Sequence, residues 1–306
     1  MRLVFFGTPE FAVPSLAALA GSHDVLAAVT MPDRPAGRKL RPAPSPVKKA
    51  AAGLGIPCME PPALRKNPAL FAELAALGAD AFAVAAYGFI FPKKLLAMTR
   101  FGALNVHASL LPKYRGASPI HAALLAGDRR TGITIMQMDE GLDTGPALLQ
   151  KSIEIGTDDF RGLHDRLAAL GAECLLEALE MLGSGGALPV PQDGAAASYA
   201  PVIRKSDGRI DWAEPTARIL GKIKAYGAWP GAYAMHGGAP LKIISARAAE
   251  DGRGLGGAPG AVVSGSGLVV RTGDGALEIL EVLPGGGKKM PAADFLRGRG
   301  TLASLS

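Results

Sequence analysis

The first 180 residues alternate short apolar runs with stretches of helical length, and few folds accept that pattern. RLVFFG (Arg2–Gly7) closes on a glycine, and PEFAVPSLAALAG after it reads as a helix opened by Pro9. DVLAAVT (Asp24–Thr30) reads as a second strand. SPVKKAAAGLG then forms a helix with Ser45 as N-cap and Pro46 at its first position. NPALFAELAALG is a further helix. DAFAVAAYG (Asp80–Gly88), ALNVHAS (Ala103–Ser109), TGITIMQM and ALLQKSIEI read as strands, followed by one long helix from Asp158 to Leu182. Runs that are apolar at every position are buried on both faces. The pattern predicts a mostly parallel sheet with helices on both sides.

Composition changes after Leu182. GSGGALPVPQDGAAASYAP is rich in Gly, Pro, Ala and Ser, which is how a connector looks. One helix candidate, PTARILGKIKAYG, then precedes the short runs GAYAM, APLKIISARAA, GAVVSGSG, LVVRTGDG and ALEILEVLP, separated by glycine turns. That spacing suggests a small OB-like β-barrel. A chain of 306 residues accommodates two domains. The expected architecture is a Rossmann-like α/β domain over residues 1–183, a linker over 184–206 and a C-terminal β-barrel over 207–306.

Several function classes drop out early. With 48% apolar and 20% charged residues the chain is too apolar to be disordered. Cys58 and Cys174 have no second Cys or His at ligand spacing, so neither a disulfide framework nor a metal site is expected. The apolar run at the start is too short for a signal peptide, and Ala81–Phe91 is too short to cross a bilayer. A reduced cytoplasmic protein follows, and nothing requires more than a monomer. GTPEFA after the first strand supplies only Gly7 of a dinucleotide fingerprint, so no NAD is expected.

The segment ALNVHASLLPKYRGASPIHAAL carries the most chemistry. Asn105 and His107 are two apart on a strand and point to one face. They sit toward its C-terminal end, where open α/β sheets place ligands. Asp143 lies in the glycine-bounded loop of MDEGLDTGP. An amide and an imidazolium can donate to a developing oxyanion, and a carboxylate can orient and charge the imidazole, which suits acyl transfer. A hydrogen-bonded structural histidine with a turn-forming aspartate fits the same spacing, so the residues alone leave both open.

NVHASLLPKYRGASPI and TGITIMQMDEGLDTGP together resemble the formyltransferases that use 10-formyltetrahydrofolate, and within them those that formylate initiator methionyl-tRNA. FFGTPEFAVPSL, PDRPAGR, PSPVK, AYGFIFP, RIDW and AYGAWPGAYA extend the resemblance over nearly the whole chain. It implies that Asn105, His107 and Asp143 are the catalytic trio. It also implies that Ser109, Leu110, Leu111 and Pro112 contact the folate, with Tyr87, Gly88, Phe89 and Ile90 bordering the pterin pocket. Phe89 stands where the family carries a polar residue, which makes that wall more apolar. The resemblance leaves two alternatives standing. One is a folate formyltransferase acting on a small amine, such as a nucleotide sugar or glycinamide ribonucleotide. The other is an RNA-binding protein on a retired enzyme scaffold.

The net charge of +6 is concentrated. Arg34, Arg38, Lys39, Arg41, Lys48 and Lys49 stand against one acid, Asp33, within the eighteen residues from Pro32 to Lys49. Five prolines make that stretch an exposed loop. A solvated basic loop is the ordinary explanation for such a run. The resemblance implies a grip on the tRNA acceptor end, and assigns Arg38, Lys39 and Arg41 to it as a group. In the C-terminal part, Lys288 and Lys289 lie in the densest basic stretch and are the corresponding candidates for tRNA there.

Overall fold

The structure, a computed structural model, describes residues 1–36, 41–186, 188–250, 256–263, 267–299 and 302–306. It begins with β1 (Arg2–Gly7), α1 (Val13–Ser22), β2 (Asp24–Val29), β3 (Arg34–Ala36), β4 (Arg41–Ala43), α2 (Pro46–Gly53) and β5 (Cys58–Met59). There follow α3 (Pro68–Leu77), β6 (Ala81–Ala85), α4 (Lys93–Leu96), β7 (Ala103–His107), β8 (Arg115–Gly116) and α5 (Pro119–Ala126). Next come β9 (Arg130–Gln137), β10 (Ala147–Glu154), α6 (Phe160–Gly183) and β11 (Tyr199–Ala200). The remainder holds α7 (Thr216–Tyr226), β12 (Tyr233–His236), β13 (Ala239–Ala248), β14 (Val262–Val263), β15 (Leu268–Arg271), β16 (Ala276–Pro284), β17 (Met290–Pro291) and α8 (Ala292–Arg299).

The chain divides into two units. The first comprises Met1–Pro119, Arg130–Glu154 and His164–Ala200; the second comprises Ile120–Arg129, Ile155–Leu163 and Pro201–Ser306. Seven strands form the sheet of the first unit, in the order β10-β9-β7-β6-β1-β2-β5. The five from β5 to β7 are parallel, and β9 and β10 are antiparallel. All five residues of β6 are buried, as are five of six in β1, which is the burial expected of a sheet covered on both faces. One face carries Val4, Phe6, Phe82 and Val84 against Leu70 and Leu74 of α3. Each such side chain contributes roughly 1.5–3 kcal/mol through removal from water. On the other face α6 approaches so closely that a Cβ on Gly171 would lie 2.7 Å from Val106.

Local signals behave as their chemistry dictates. Ser45 caps α2 by accepting from the Lys48 amide at 3.0 Å, and Asn67 caps α3 by accepting from Leu70 at 3.1 Å. The helix expected from Pro9 starts as a 3-10 turn over Glu10–Ala12 and becomes α-helical at Val13. Because β2 and β6 flank β1 on opposite sides, the connections leaving β1 and reaching β6 diverge there. A crevice at the C-terminal ends of these strands follows.

In the second unit β12-β13-β16-β15-β14 form an antiparallel sheet, with β17 added beside β16. The sheet is curled into the half-barrel form of a small barrel domain. Its core gathers Trp212, Ile219, Ile223, Leu241, Ile243, Leu268, Leu277 and Phe295. A second helix, α8, was not legible in the sequence because Gly298 and three charges interrupt its apolar pattern. Among the described residues no helix is long and apolar enough to cross a membrane.

Candidate active site

Ala103, Asn105 and His107 of β7 point to the face opposite α6, by the two-residue period of a strand. Asp143 reaches them from the other direction. Because β9 runs antiparallel to β7 with Gln137 beside Leu104, the loop after β9 starts at the wrong end and must fold back across this face. It does so with Asp143 in the left-handed region at φ 53°, a conformation aspartate tolerates better than most residues. The carboxylate Oδ2 then lies 3.6 Å from His107 Nδ1 and accepts a hydrogen bond from the Gly116 amide at 2.8 Å.

His107 is 5% exposed, and its Nε2 is 3.0 Å from the Tyr114 carbonyl. That carbonyl can only accept, so Nε2 carries a proton and Nδ1 faces Asp143. Burial dominates the titration of His107 and holds it below the ordinary histidine value. The Asp143 carboxylate and the Tyr114 carbonyl act the other way, in the direction expected of the pair, but are outweighed. The resting ring is therefore neutral at pH 7, with a lone pair on Nδ1. Asn105 is half-buried two residues back on the same face.

The turn after β7 is pinned from beneath. Thr134 Oγ1 donates to the Ser109 carbonyl at 2.7 Å and accepts from the Leu111 amide at 3.0 Å, while Gln150 donates to the Leu111 carbonyl at 2.7 Å. Ser109 is fully buried, and its hydroxyl donates to the Lys113 carbonyl. Leu111 is buried too, whereas Leu110 and Pro112 are half-buried. At the end of β6, Ala86 (φ 46°) and Gly88 (φ 92°) turn the chain sharply. Gly88 has open space where a Cβ would be, Ile90 is exposed, and Phe89 packs edge-on to Tyr87. Burial pushes the Tyr87 phenol up, and its hydroxyl has no hydrogen-bond partner among the described residues.

Residues 184–200 do more than connect. Ser198 accepts from the Tyr114 amide through its hydroxyl and from the Arg115 amide through its carbonyl, at 2.9 and 2.8 Å. Gly116 (φ 111°) runs beside Ala200 so closely that a Cβ would meet the Ala200 carbonyl at 2.7 Å. Gln192 joins Arg115 to the main chain at Asp143 and Gly145. Composition hides these roles, because each is a main-chain or amide contact made far along the chain.

The basic loop after β2 is a hairpin, β3 against β4. Arg38 and Lys39 lie outside the described residues, and Arg41 begins β4. Lys48 is ion-paired with Asp33 at 2.9 Å and with Glu60 at 2.7 Å, so it ties down the base of the hairpin. A hydroxyl bridge of 2.8 Å between Thr30 and Ser45 closes the same base. In the second unit Lys288 is exposed, and Lys289 pairs with Glu281 at 3.0 Å. Among the described residues no group of three or more His, Cys, Asp or Glu side chains is arranged to hold a metal.

A mostly parallel sheet that carries a buried histidine against a half-buried aspartate, with an amide beside them and a loop folded back over the face, is an arrangement that can serve acyl transfer. Residues 1–179 match the formyl transferase family model and residues 202–300 match the model of the formyl transferase C-terminal domain. The chain is 46% identical to the methionyl-tRNA formyltransferase of Heliobacterium modesticaldum, covering 98% of this chain and 97% of the relative. It is equally 46% identical to that of Xanthomonas axonopodis pv. citri, over 100% of both chains. In fold it is similar to HypX from Aquifex aeolicus in complex with tetrahydrofolic acid. The TM-score is 0.63 at 19% identity, over 100% of this chain and 50% of that one. The chain belongs to the methionyl-tRNA formyltransferase family, and it is an enzyme of formyl transfer.

Proposed function

We propose that this enzyme moves the formyl group of 10-formyltetrahydrofolate to the α-amino group of methionyl initiator tRNA, with Asn105, His107 and Asp143 as its catalytic residues. The observation that carries this reading is the buried His107 held between the Tyr114 carbonyl and the Asp143 carboxylate, beside Asn105 on one strand face. The unpartnered Tyr87 hydroxyl and the open backbone at Gly88 suit a heteroaromatic ring. Residues 87–90 would hold it on one side and the turn 109–112 on the other, with Ser109 shaping that turn from inside. When bound, the folate supplies a formyl group activated on N10.

A free α-amine has a pKa of about 7.7–8.0, and an ester lowers it. A neutral nucleophile is thus available near pH 7 without a strong base. As it adds to the formyl carbon, Asn105 donates to the oxygen that gains charge. The amine must then lose a proton, and Nδ1 of the neutral His107 can take it. The imidazolium so formed is favoured by Asp143 on one side and Tyr114 on the other, and its Nδ1–H becomes a donor for the oxyanion or for the leaving nitrogen.

Arg38, Lys39 and Arg41 of the basic run, with Lys288 and Lys289 on a β-barrel domain over 207–306, would take the tRNA phosphates. Such contacts need charge more than fixed geometry. The deciding assay offers 10-formyltetrahydrofolate with charged initiator tRNA, charged elongator methionyl-tRNA and small amines. Formylation of the initiator tRNA, strongly preferred over the other two, is the expected outcome. Transfer confined to small amines would overturn the reading, and binding of RNA with no transfer at all would favour a retired scaffold.

A further inference from the structure

Gln192 sits in the proline-rich stretch that follows α6, yet its amide is used at both ends. Its Nε2 donates to the Asp143 carbonyl at 2.9 Å and to the Gly145 carbonyl at 2.6 Å. Its Oε1 accepts from Arg115 Nε at 3.1 Å and from Nη2 at 2.8 Å. The partners define the amide's orientation, because carbonyls only accept and a guanidinium only donates. Arg115 itself is 5% exposed, so this guanidinium is held in the interior by a neutral partner.

The two arms that Gln192 joins are the two that carry the proposed proton relay. Arg115 lies between Tyr114, whose carbonyl holds His107 Nε2, and Gly116, whose amide holds the Asp143 carboxylate. Asp143 and Gly145 belong to the loop that has doubled back from β9. The Asp143 side chain is tied to one arm and its main chain to the other. The 3.6 Å gap between Asp143 Oδ2 and His107 Nδ1 is therefore set by how the arms are spaced. Gln192 hydrogen-bonds to both arms.

We infer that Gln192 is a positioning residue for formyl transfer: it fixes the Asp143 loop against the Arg115 strand and so sets the His107–Asp143 geometry. The inference rests on the reading that His107 and Asp143 act in transfer. A displacement of about 1 Å in such a site costs on the order of 10² in rate, so loss of this tie should be felt in turnover.

The test is a double-mutant cycle on the full chain, with kcat and both KM values measured with charged initiator tRNA and 10-formyltetrahydrofolate. Gln192→Met keeps the length of the side chain and removes all four hydrogen bonds. It should lower kcat about tenfold or more, with each KM within twofold of wild type. Asp143→Asn should lower kcat further. Adding Gln192→Met to Asp143→Asn should then change kcat less than twofold, because the position it secures no longer matters. Gln192→Glu keeps the acceptor for Arg115 and lacks the two N–H donors, and it too should lose turnover. It serves as the readout if Gln192→Met does not fold. The proposal fails if both Gln192 variants turn over within twofold of wild type, or if Gln192→Met costs the same factor in both backgrounds. An unimpaired Asp143→Asn enzyme would instead remove the reading underneath, and the proposal with it.

Discussion

The crevice over β7 and the hairpin after β2 belong to the same unit of the chain but are built by opposite means. At the crevice charge is scarce, and geometry is held by two main-chain groups, the Tyr114 carbonyl and the Gly116 amide, and by the Thr134 hydroxyl beneath the turn at 109–111. At the hairpin charge is abundant, with six basic residues between Arg34 and Lys49, and the described ties gather at its base. One of those six, Lys48, is spent on Asp33 and Glu60. Chemistry on a single carbon demands donors placed to fractions of an ångström. Attraction to a phosphate backbone demands only density of charge, so a loop fastened at its base suffices.

The sharpest way to break this contrast is at the crevice. Asn105→Ala and His107→Ala should each lower kcat/KM for formyl transfer on the order of 10²–10³, the usual cost of removing one oxyanion donor. Folate affinity, followed by equilibrium binding, should change little in either variant. A His107→Ala enzyme as fast as wild type would mean that the buried pair is structural.

The hairpin should respond more gently and in a different quantity. Neutralising Arg38, Lys39 and Arg41 together should raise the apparent KM for charged tRNA severalfold while leaving kcat and folate binding near wild type. Each lost phosphate contact should also flatten the dependence of log affinity on log salt by about 0.7–0.9. Lys48→Met sharpens the comparison further. It removes no free cation, so its effect on tRNA KM should come with an unchanged salt slope. A slope unaltered by the triple substitution would detach the hairpin from the tRNA.

The sheet and its burial were legible because they rest on short-range patterning. Apolar runs such as Leu3–Phe6 and Ala81–Ala85 have one physical solution, and Ser45 announces the helix it caps. The pairing of Asn105 with His107 was legible too, because a strand's period is fixed. What escaped depended on antiparallel return or on main-chain partners. Nothing near Asp143 tells that β9 runs against β7 and sends the loop back over the sheet. Gln192 and Ser198 sit among prolines, glycines and alanines and look like connector until their partners some eighty residues earlier are in place. The count of basic residues likewise could not separate Lys48, which is paired, from Lys49, which is exposed.

The smallest effect concerns acid stability, and its sign follows from the burial of His107. A ring whose folded-state pKa lies below the unfolded value of 6.5 binds fewer protons in the folded chain. Its full contribution to stability is therefore present above pH 6.5 and is lost as pH falls from there toward the folded pKa. His23 is lowered as well, by burial and by the neighbouring N-terminal ammonium, and contributes in the same sense. His107→Gln retains a donor for the Tyr114 carbonyl and cannot titrate. Its melting temperature should fall less than that of wild type between pH 6.5 and 5, with the remaining slope shared by His23. The two curves should therefore diverge as pH falls in a calorimetric pH series. Parallel curves would show that the ring is solvated enough to protonate in place.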